Sequence, residues 1–545
     1  MAVLFSLTTL GQEQLADIAF INAKVWTVDP RKPEAEAVAV LRGRILAVGT
    51  NAEIKKHIGT TTKVIDLHGK RMLPGFIDNH THFLSGGFQL QSVDLRHATN
   101  EEEFARLIKE RSEKNPGRWI TGGDWDHDRW PSGKLPTKEL IDRYTPNTPV
   151  FVNRYDGHMA LANSYVLKLA GITRDTPDPP GGTIVKDPRT GEPTGVLKDE
   201  AMSYVYRIMP DPGEDEMLEA ARLALAEARR FGITSIQDMS TPEHLRVYQT
   251  LRQRGELTAR FYCRLPINHW EHLARTGVKV PFGDEWIRIG SLKAFADGSL
   301  GSSTALFFEP YTSDPTTRGL PSDILLDGRL ETWALAADKA GLQLSIHAIG
   351  DSANSLILDL FEKITRINPK WDRRFRIEHA QHVHPKDFRR FAELGVIASV
   401  QPYHAIDDGR WAESRIGFER CKSTYAFKTF LDNKVKMSFG SDWTVAPLNP
   451  LLGIYAAVTR RTIDGKNPRG WFPEQNISVE QAIRAYTIDA AYGAFEEHEK
   501  GSIEVGKLAD VVVLSEDLLR IDPIRIENVS VDMTVVGGVV VYERK

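Results

Sequence analysis

Hydrophobic and polar positions divide this chain into three zones. At residues 18–28, 37–48 and 63–67, short β-branched runs are broken by Asp-Pro, Arg-Gly and His-Gly turns. Residues 502–514 and 529–542 repeat that pattern, with turns at Val505-Gly506 and Gly537-Gly538. Two β-rich ends around a long middle predict a composite β-sandwich built from residues 17–72 and 496–545, because the ends of a domain often lie close together. Separate terminal domains are the alternative.

The middle alternates. Apolar runs at residues 73–79, 233–238, 260–267, 286–295, 342–348, 375–379, 396–401 and 435–441 read as strands. Helix-period segments at 214–231, 330–340, 352–365, 385–394 and 427–432 lie between most of them. Three helices stop at a glycine just before the next strand, at Phe231-Gly232, Ala340-Gly341 and Leu394-Gly395. Eight strands with helical connections predict an α/β fold, a (β/α)8 TIM barrel over residues 73–495. No Gly-x-Gly-x-x-Gly opens a helix after a strand, which disfavours a dinucleotide-binding sheet. Roughly 150 residues separate the first two strands, far too many for a loop. Residues 95–230 are therefore an insertion with structure of its own. It holds Trp119, Trp125 and Trp130, a strand at 149–153 and a Gly/Pro-rich stretch at 177–195. At the catalytic face of a barrel it would serve as a lid.

Composition narrows the class. A chain of 545 residues, 41% hydrophobic and 26% charged, is an ordinary multidomain globular protein. Its net charge of −4 gives no general affinity for nucleic acid or anionic membrane. The expected partner is a small-molecule substrate, and a homo-oligomer is compatible with the sequence. Cys263 and Cys421 cannot build a disulfide framework or a Cys-rich metal site. No apolar run reaches about 18 residues, so no membrane span is expected, and the location is expected to be cytoplasmic. Residues 2–10 are short and mostly apolar; a signal-peptide remnant, and hence export, is the alternative, although no basic segment precedes them.

The chemistry starts at Pro74-Gly75-Phe76-Ile77-Asp78-Asn79-His80-Thr81-His82, an apolar run ending in His-x-His. Residues i and i+2 of a strand share a face, so His80 and His82 can offer two imidazoles to one metal. Four further strands end in polar groups: Lys293 with Asp297 after the fourth, His347 on the fifth, His379 on the sixth and Asp442 after the eighth. Any one of these is explained by a hydrogen-bonded rim residue. Six on five strands point to a metal centre at the C-terminal mouth.

With Lys293-Ala294-Phe295-Ala296-Asp297-Gly298-Ser299-Leu300-Gly301-Ser302 and Gly440-Ser441-Asp442, the chain resembles the amidohydrolase superfamily. The likeness is to the binuclear type with a carboxylated lysine, and more narrowly to the YtcJ-type branch, which includes N-substituted formamide deformylases. The resemblance implies two divalent ions, zinc by default, with His80, His82 and Asp442 on the more buried ion and His347 and His379 on the second. Lys293 would bridge them as a CO2-derived Nζ-carbamate; an ion pair with Asp297 or a substrate-binding role is the alternative. It also implies hydrolysis of a non-peptide C–N amide bond in an N-acyl or N-formyl small molecule. A hydroxide bridging the ions would attack, and Asp442 would be the catalytic acid–base.

Candidate substrate contacts are Asp156 and His158 in Asn153-Arg154-Tyr155-Asp156-Gly157-His158, His404 after strand seven, and the aromatic residues Trp125 and Trp443, with Trp130, Phe83 and Tyr403 as further walls. His382 and His384 fall at a helix start, where surface positions are expected. Three readings compete with the amide hydrolase: a mononuclear deaminase, an ester, lactone or carbamate hydrolase on the same site, and a non-catalytic scaffold.

Overall fold

A computed structural model describes residues 14–127, 130–154, 159–179 and 182–545. The apolar stretch at residues 2–10 lies outside them. The described chain forms two compact units, one running to Phe83 and resuming at Ala224, the other Leu84–Leu223.

Eight parallel strands form the centre of the first unit: Phe76–Thr81, Ile233–Met239, Arg260–Pro266, Ile287–Phe295, Leu344–Ala348, Arg376–His379, Ile397–Val400 and Met437–Phe439, paired in that order. Almost all their side chains are enclosed, apolar ones such as Ile77, Ile236, Leu292, Ile346 and Ile377 together with polar ones such as Asp78, Gln237, Arg264 and Glu378, as strands covered on both faces require. Helices such as Pro242–Gln253, Arg329–Lys339 and Asp351–Ile367 connect successive strands. The helix Phe388–Leu394 ends at Gly395, whose φ of 65° is the left-handed cap read from the sequence. Strand eight meets strand one at its C-terminal end. Thr81 bridges Trp443 in parallel, and the amides of Asp442 and His82 donate to the carbonyls of His80 and Trp443, each at 2.7 Å. This is a nearly closed (β/α)8 barrel.

Both chain ends enter one six-stranded sheet. Its order is Val539–Glu543, Val531–Val536, Val511–Leu514, Arg71–Pro74, Lys24–Trp26, Glu34–Ala35. Val512 pairs with Leu73 antiparallel, so the C-terminal strands are bonded directly to the N-terminal ones. A four-stranded sheet of N-terminal strands faces it, and Phe20 and Val38 from that sheet share a core with Met72, Val513 and Val535. The single apolar run at residues 73–79 thus serves two sheets, switching from sandwich to barrel at Gly75.

The second unit has its own six-stranded sheet, from Val93–Asp94 through Phe151–Arg154 to Gly182–Lys186. Phe104 and Ile108 of the helix Glu101–Lys114 pack with Trp125, Trp130, Val152 and Leu161 in its core. No described helix is long and apolar enough to cross a membrane. Cys263 and Cys421 are buried and unpaired.

Candidate active site

His80, His82, Lys293, His347, His379 and Asp442 all line one cavity of about 440 Å³ at the C-terminal mouth of the barrel. Backbone closure places them. Gly440 packs so tightly on the first strand that a Cβ there would lie 2.5 Å from the His80 amide nitrogen. Asp78 Oδ1 accepts from the amides of His80 and Ser441, both at 3.0 Å, tying the first strand to the loop after the eighth. Asp442 and His379 have φ of 58° and 72°, left-handed backbone that the surrounding packing must hold.

Asp442 is the junction. Its Oδ1 lies 3.6 Å from His80 Nε2 and 3.4 Å from His82 Nε2, and its Oδ2 lies 4.0 Å from His404 Nε2. Two groups of donor atoms share it, His80 with His82 and His379 with His404, and within each the atoms lie within 4.8 Å of one another. The second group differs from the resemblance-based set, which pairs His379 with His347. The His347 ring lies 4.5 Å from that of His379, but its Nε2–H donates to Gly298 O at 3.1 Å, leaving Nδ1 as its available donor atom.

These residues fit a divalent ion. His80 Nδ1 lies 2.5 Å from Glu378 Oε2, and a carboxylate can only accept, so Nδ1 carries the proton. His80 Nε2 then has a lone pair, is buried and has no partner, and burial lowers the imidazolium to about 3. The neutral nitrogen faces a carboxylate, an arrangement of lone pairs that a cation between them relieves. His379 repeats the logic: Nδ1–H donates to Gln401 Oε1 at 2.8 Å, and burial holds its imidazolium well below the usual range. Burial opposes ionisation of Asp442, but the surrounding imidazoles, His80 first, outweigh it and hold its carboxyl well below the usual range.

Glu378 is the site residue to which the sequence analysis gave no role. It is fully buried. Arg264 Nη1 lies 2.9 Å and Arg376 Nε 3.2 Å from its Oε1, Ser399 Oγ donates to Oε2 at 2.6 Å, and Ser345 also donates. Burial opposes its ionisation, yet the two guanidiniums hold the carboxyl well below its ordinary value. Arg376 and Glu378 are i, i+2 on one strand, so both face inward; that spacing was the available signal. Partners that fix a metal-ligating histidine typically change metal affinity 10–100-fold when lost. Glu378→Gln should therefore weaken metal binding by about that factor in a metal titration, with secondary structure checked by circular dichroism. Unchanged affinity would show that Glu378 does not set the His80 ring.

Lys293 is buried, and among the described residues no hydrogen bond or ion pair holds its Nζ, which lies 4.7 Å over the Phe295 ring. Burial lowers its ammonium to about 8, against the opposing pull of Glu378 and Asp442. The ion pair with Asp297 is not made. The Asp297 oxygens instead accept from the amides of Leu306, Ile349 and Gly350 at 2.8–3.0 Å.

The other expected contacts divide. His404 lines the cavity. Trp125 is fully enclosed in the core of the second unit, its Nε1 donating to Val152 O, so no face is left for a substrate; Trp130 packs in the same core. Trp443 turns inward onto Phe83, which is itself buried, and Tyr403 is half-buried away from the lining. Asp156 and His158 lie outside the described residues. His382 is buried rather than superficial, bonded through Nδ1 to Thr424 Oγ1 at 2.7 Å, because the left-handed turn at His379 and Ala380 directs the following residues inward. The apolar wall is made instead by Phe295, Leu300, Trp411 and Val445, mostly loop residues that carry no periodic signal.

The family model described as "Amidohydrolase family" matches residues 63–542. Protein LONG AFTER FAR-RED 3 of Arabidopsis thaliana is 42% identical over 517 residues, 92% of this chain and 87% of the relative. N-substituted formamide deformylase of Arthrobacter pascens is 28% identical over 549 residues, 97% and 99% of the two chains. The crystal structure of an uncharacterized metal-dependent hydrolase from Pyrococcus horikoshii OT3 superposes with a TM-score of 0.78 at 28% identity, covering 93% of this chain and 99% of that one.

Proposed function

The chain belongs to the amidohydrolase family, and from that premise we propose that it is a metal-dependent hydrolase of a non-peptide C–N amide bond in an N-acyl or N-formyl small molecule. The observation that carries this is the Asp442 carboxylate shared by two groups of imidazole donors, with the buried Nε2 atoms of His80 and His404 making no hydrogen bond among the described residues. His80, His82 and Asp442 would hold one divalent ion, and His347 and His379 a second. Zinc suits this His/carboxylate set best. Lys293 would bridge the pair after carboxylation: its neutral Nζ attacks CO2, one N–C bond forms and one proton leaves, giving an anionic two-oxygen ligand.

When bound, such ions acidify a water toward neutral pH and polarise the scissile carbonyl. The chain's own residues do the rest. Glu378 and Gln401 hold the His80 and His379 rings through their Nδ1–H groups. Asp442 accepts the proton of the attacking water and returns it to the leaving nitrogen as the C–N bond breaks. The products are a carboxylate and an amine.

Chelation followed by reconstitution tests the reading. Removing metal should abolish hydrolysis of a panel of N-formyl, N-acetyl and N-aroyl amides, and zinc should restore it at two ions per chain by elemental analysis. One ion per chain with deamination would support the mononuclear alternative. Hydrolysis confined to lactones, esters or carbamates would overturn the amide class.

A further inference from the structure

The helix Pro402–Asp408 carries His404 and Asp408 four residues apart, so both fall on one helix face, and both line the cavity. Asp408 is an unusual wall. Its Oδ2 accepts from Tyr425 OH at 2.6 Å and Gln381 Nε2 at 3.0 Å, two neutral donors. Among the described residues its Oδ1 has no hydrogen bond, and no cation pairs with it. The neighbouring Asp407 is different, because Arg410 neutralises it. Of the described side chains lining the cavity, Lys293 is the only lysine or arginine. Beyond the metal-ligand cluster, the cavity therefore offers one uncompensated carboxylate beside the apolar surface of Trp411 and Leu300.

We infer that Asp408 is a specificity-determining residue that receives a protonated amine on the non-reacting arm of the substrate. The inference rests on the amide-hydrolase reading and narrows it to amides with a cationic group on an apolar arm. A half-buried carboxylate with neutral partners on one oxygen gains from a cation on the other and repels an anion. Four helical residues rise about 6 Å, which places the ammonium roughly that far along the wall from His404. Aliphatic arms would lie on Leu300, and an aryl arm would pack on Trp411 with the ammonium at Asp408. Among the described lining residues, substrates that end in a free carboxylate meet no guanidinium or free ammonium apart from the buried Lys293.

Three matched amides test this on the metal-loaded full chain: N-[4-(aminomethyl)benzyl]acetamide, N-benzylacetamide and 4-(acetamidomethyl)benzoate. The expected kcat/KM order is cationic above neutral above anionic, with about tenfold between the first two, the worth of one modest charge-assisted contact. In Asp408→Asn the cationic-to-neutral ratio should fall to about one. Tyr425→Phe removes a structural hydrogen bond but keeps the charge, so the ratio should persist there. Binding is read separately by calorimetry with p-xylylenediamine and 4-(aminomethyl)benzoate. Diamine binding that depends on Asp408, with no amide cleaved, would keep the subsite and remove the amide reading. Cleavage with no charge preference, or a preference unchanged in Asp408→Asn, would overturn the subsite and leave the amide reading standing.

Discussion

Asp442→Asn should retain most of its metal and lose turnover by roughly 10²–10⁴-fold, the range of a general acid–base. Asparagine keeps the size of the side chain and one carbonyl oxygen donor. It also tolerates the left-handed φ of 58° at this position nearly as well as aspartate, so the backbone is not further strained. What it loses is the ability to accept a proton. The wild-type carboxyl is held well below its ordinary range by the imidazoles around it, so it stays ionised through the neutral region. Elemental analysis paired with kcat separates the two roles: metal retained with turnover lost assigns proton transfer to Asp442. Unaltered turnover with metal retained would transfer the role to another group, and His404, whose Nε2 lies 4.0 Å from Asp442 Oδ2, is the nearest candidate.

The sequence exposes those parts of the site that depend on local order. Each barrel strand carries buried apolar side chains, and five of them end in a residue that can ligate a metal, so chain position alone locates the mouth. The run at residues 73–79 shows the limit. Arg71–Pro74 and Phe76–Thr81 belong to different sheets, yet hydrophobicity does not change where the chain leaves one for the other. Glu378, Arg264 and Arg376 were hidden for a related reason. A charged residue inside an apolar strand is visible, but which buried charge neutralises which is decided by strands far apart in the chain. The tryptophans of the insertion misled in the opposite direction. A unit with its own sheet needs its own core, and Trp125 and Trp130 fill it, whereas the apolar wall of the cavity comes from Trp411 and Val445 on loops, where no period marks them.

Lys293→Ala should remove both binuclear metal binding and turnover, the latter by at least about 10³-fold, the upper range for loss of a single preorganised electrostatic contact. The geometry gives the side chain little else to do. It is buried, no group among the described residues pairs with its Nζ, and Asp297, the obvious counter-ion, is saturated by three backbone amides. An ammonium held there would sit among four histidines that are to bind cations, and it would repel them. Burial already lowers it to about 8, which brings the neutral amine within reach of CO2 near neutral pH. If the lysine serves only as a bridging carboxylate, then a short carboxylic acid should replace it. Acetate or propionate in excess should partly restore metal stoichiometry and turnover together to the alanine variant, and should leave the wild-type protein unaffected. Rescue by a short amine instead would mark Lys293 as a cation acting on the substrate. Full activity in the alanine variant without any additive would remove the bridging role altogether, and the ligand set would contract to His80, His82, His379, His404 and Asp442, the five whose donor atoms already cluster.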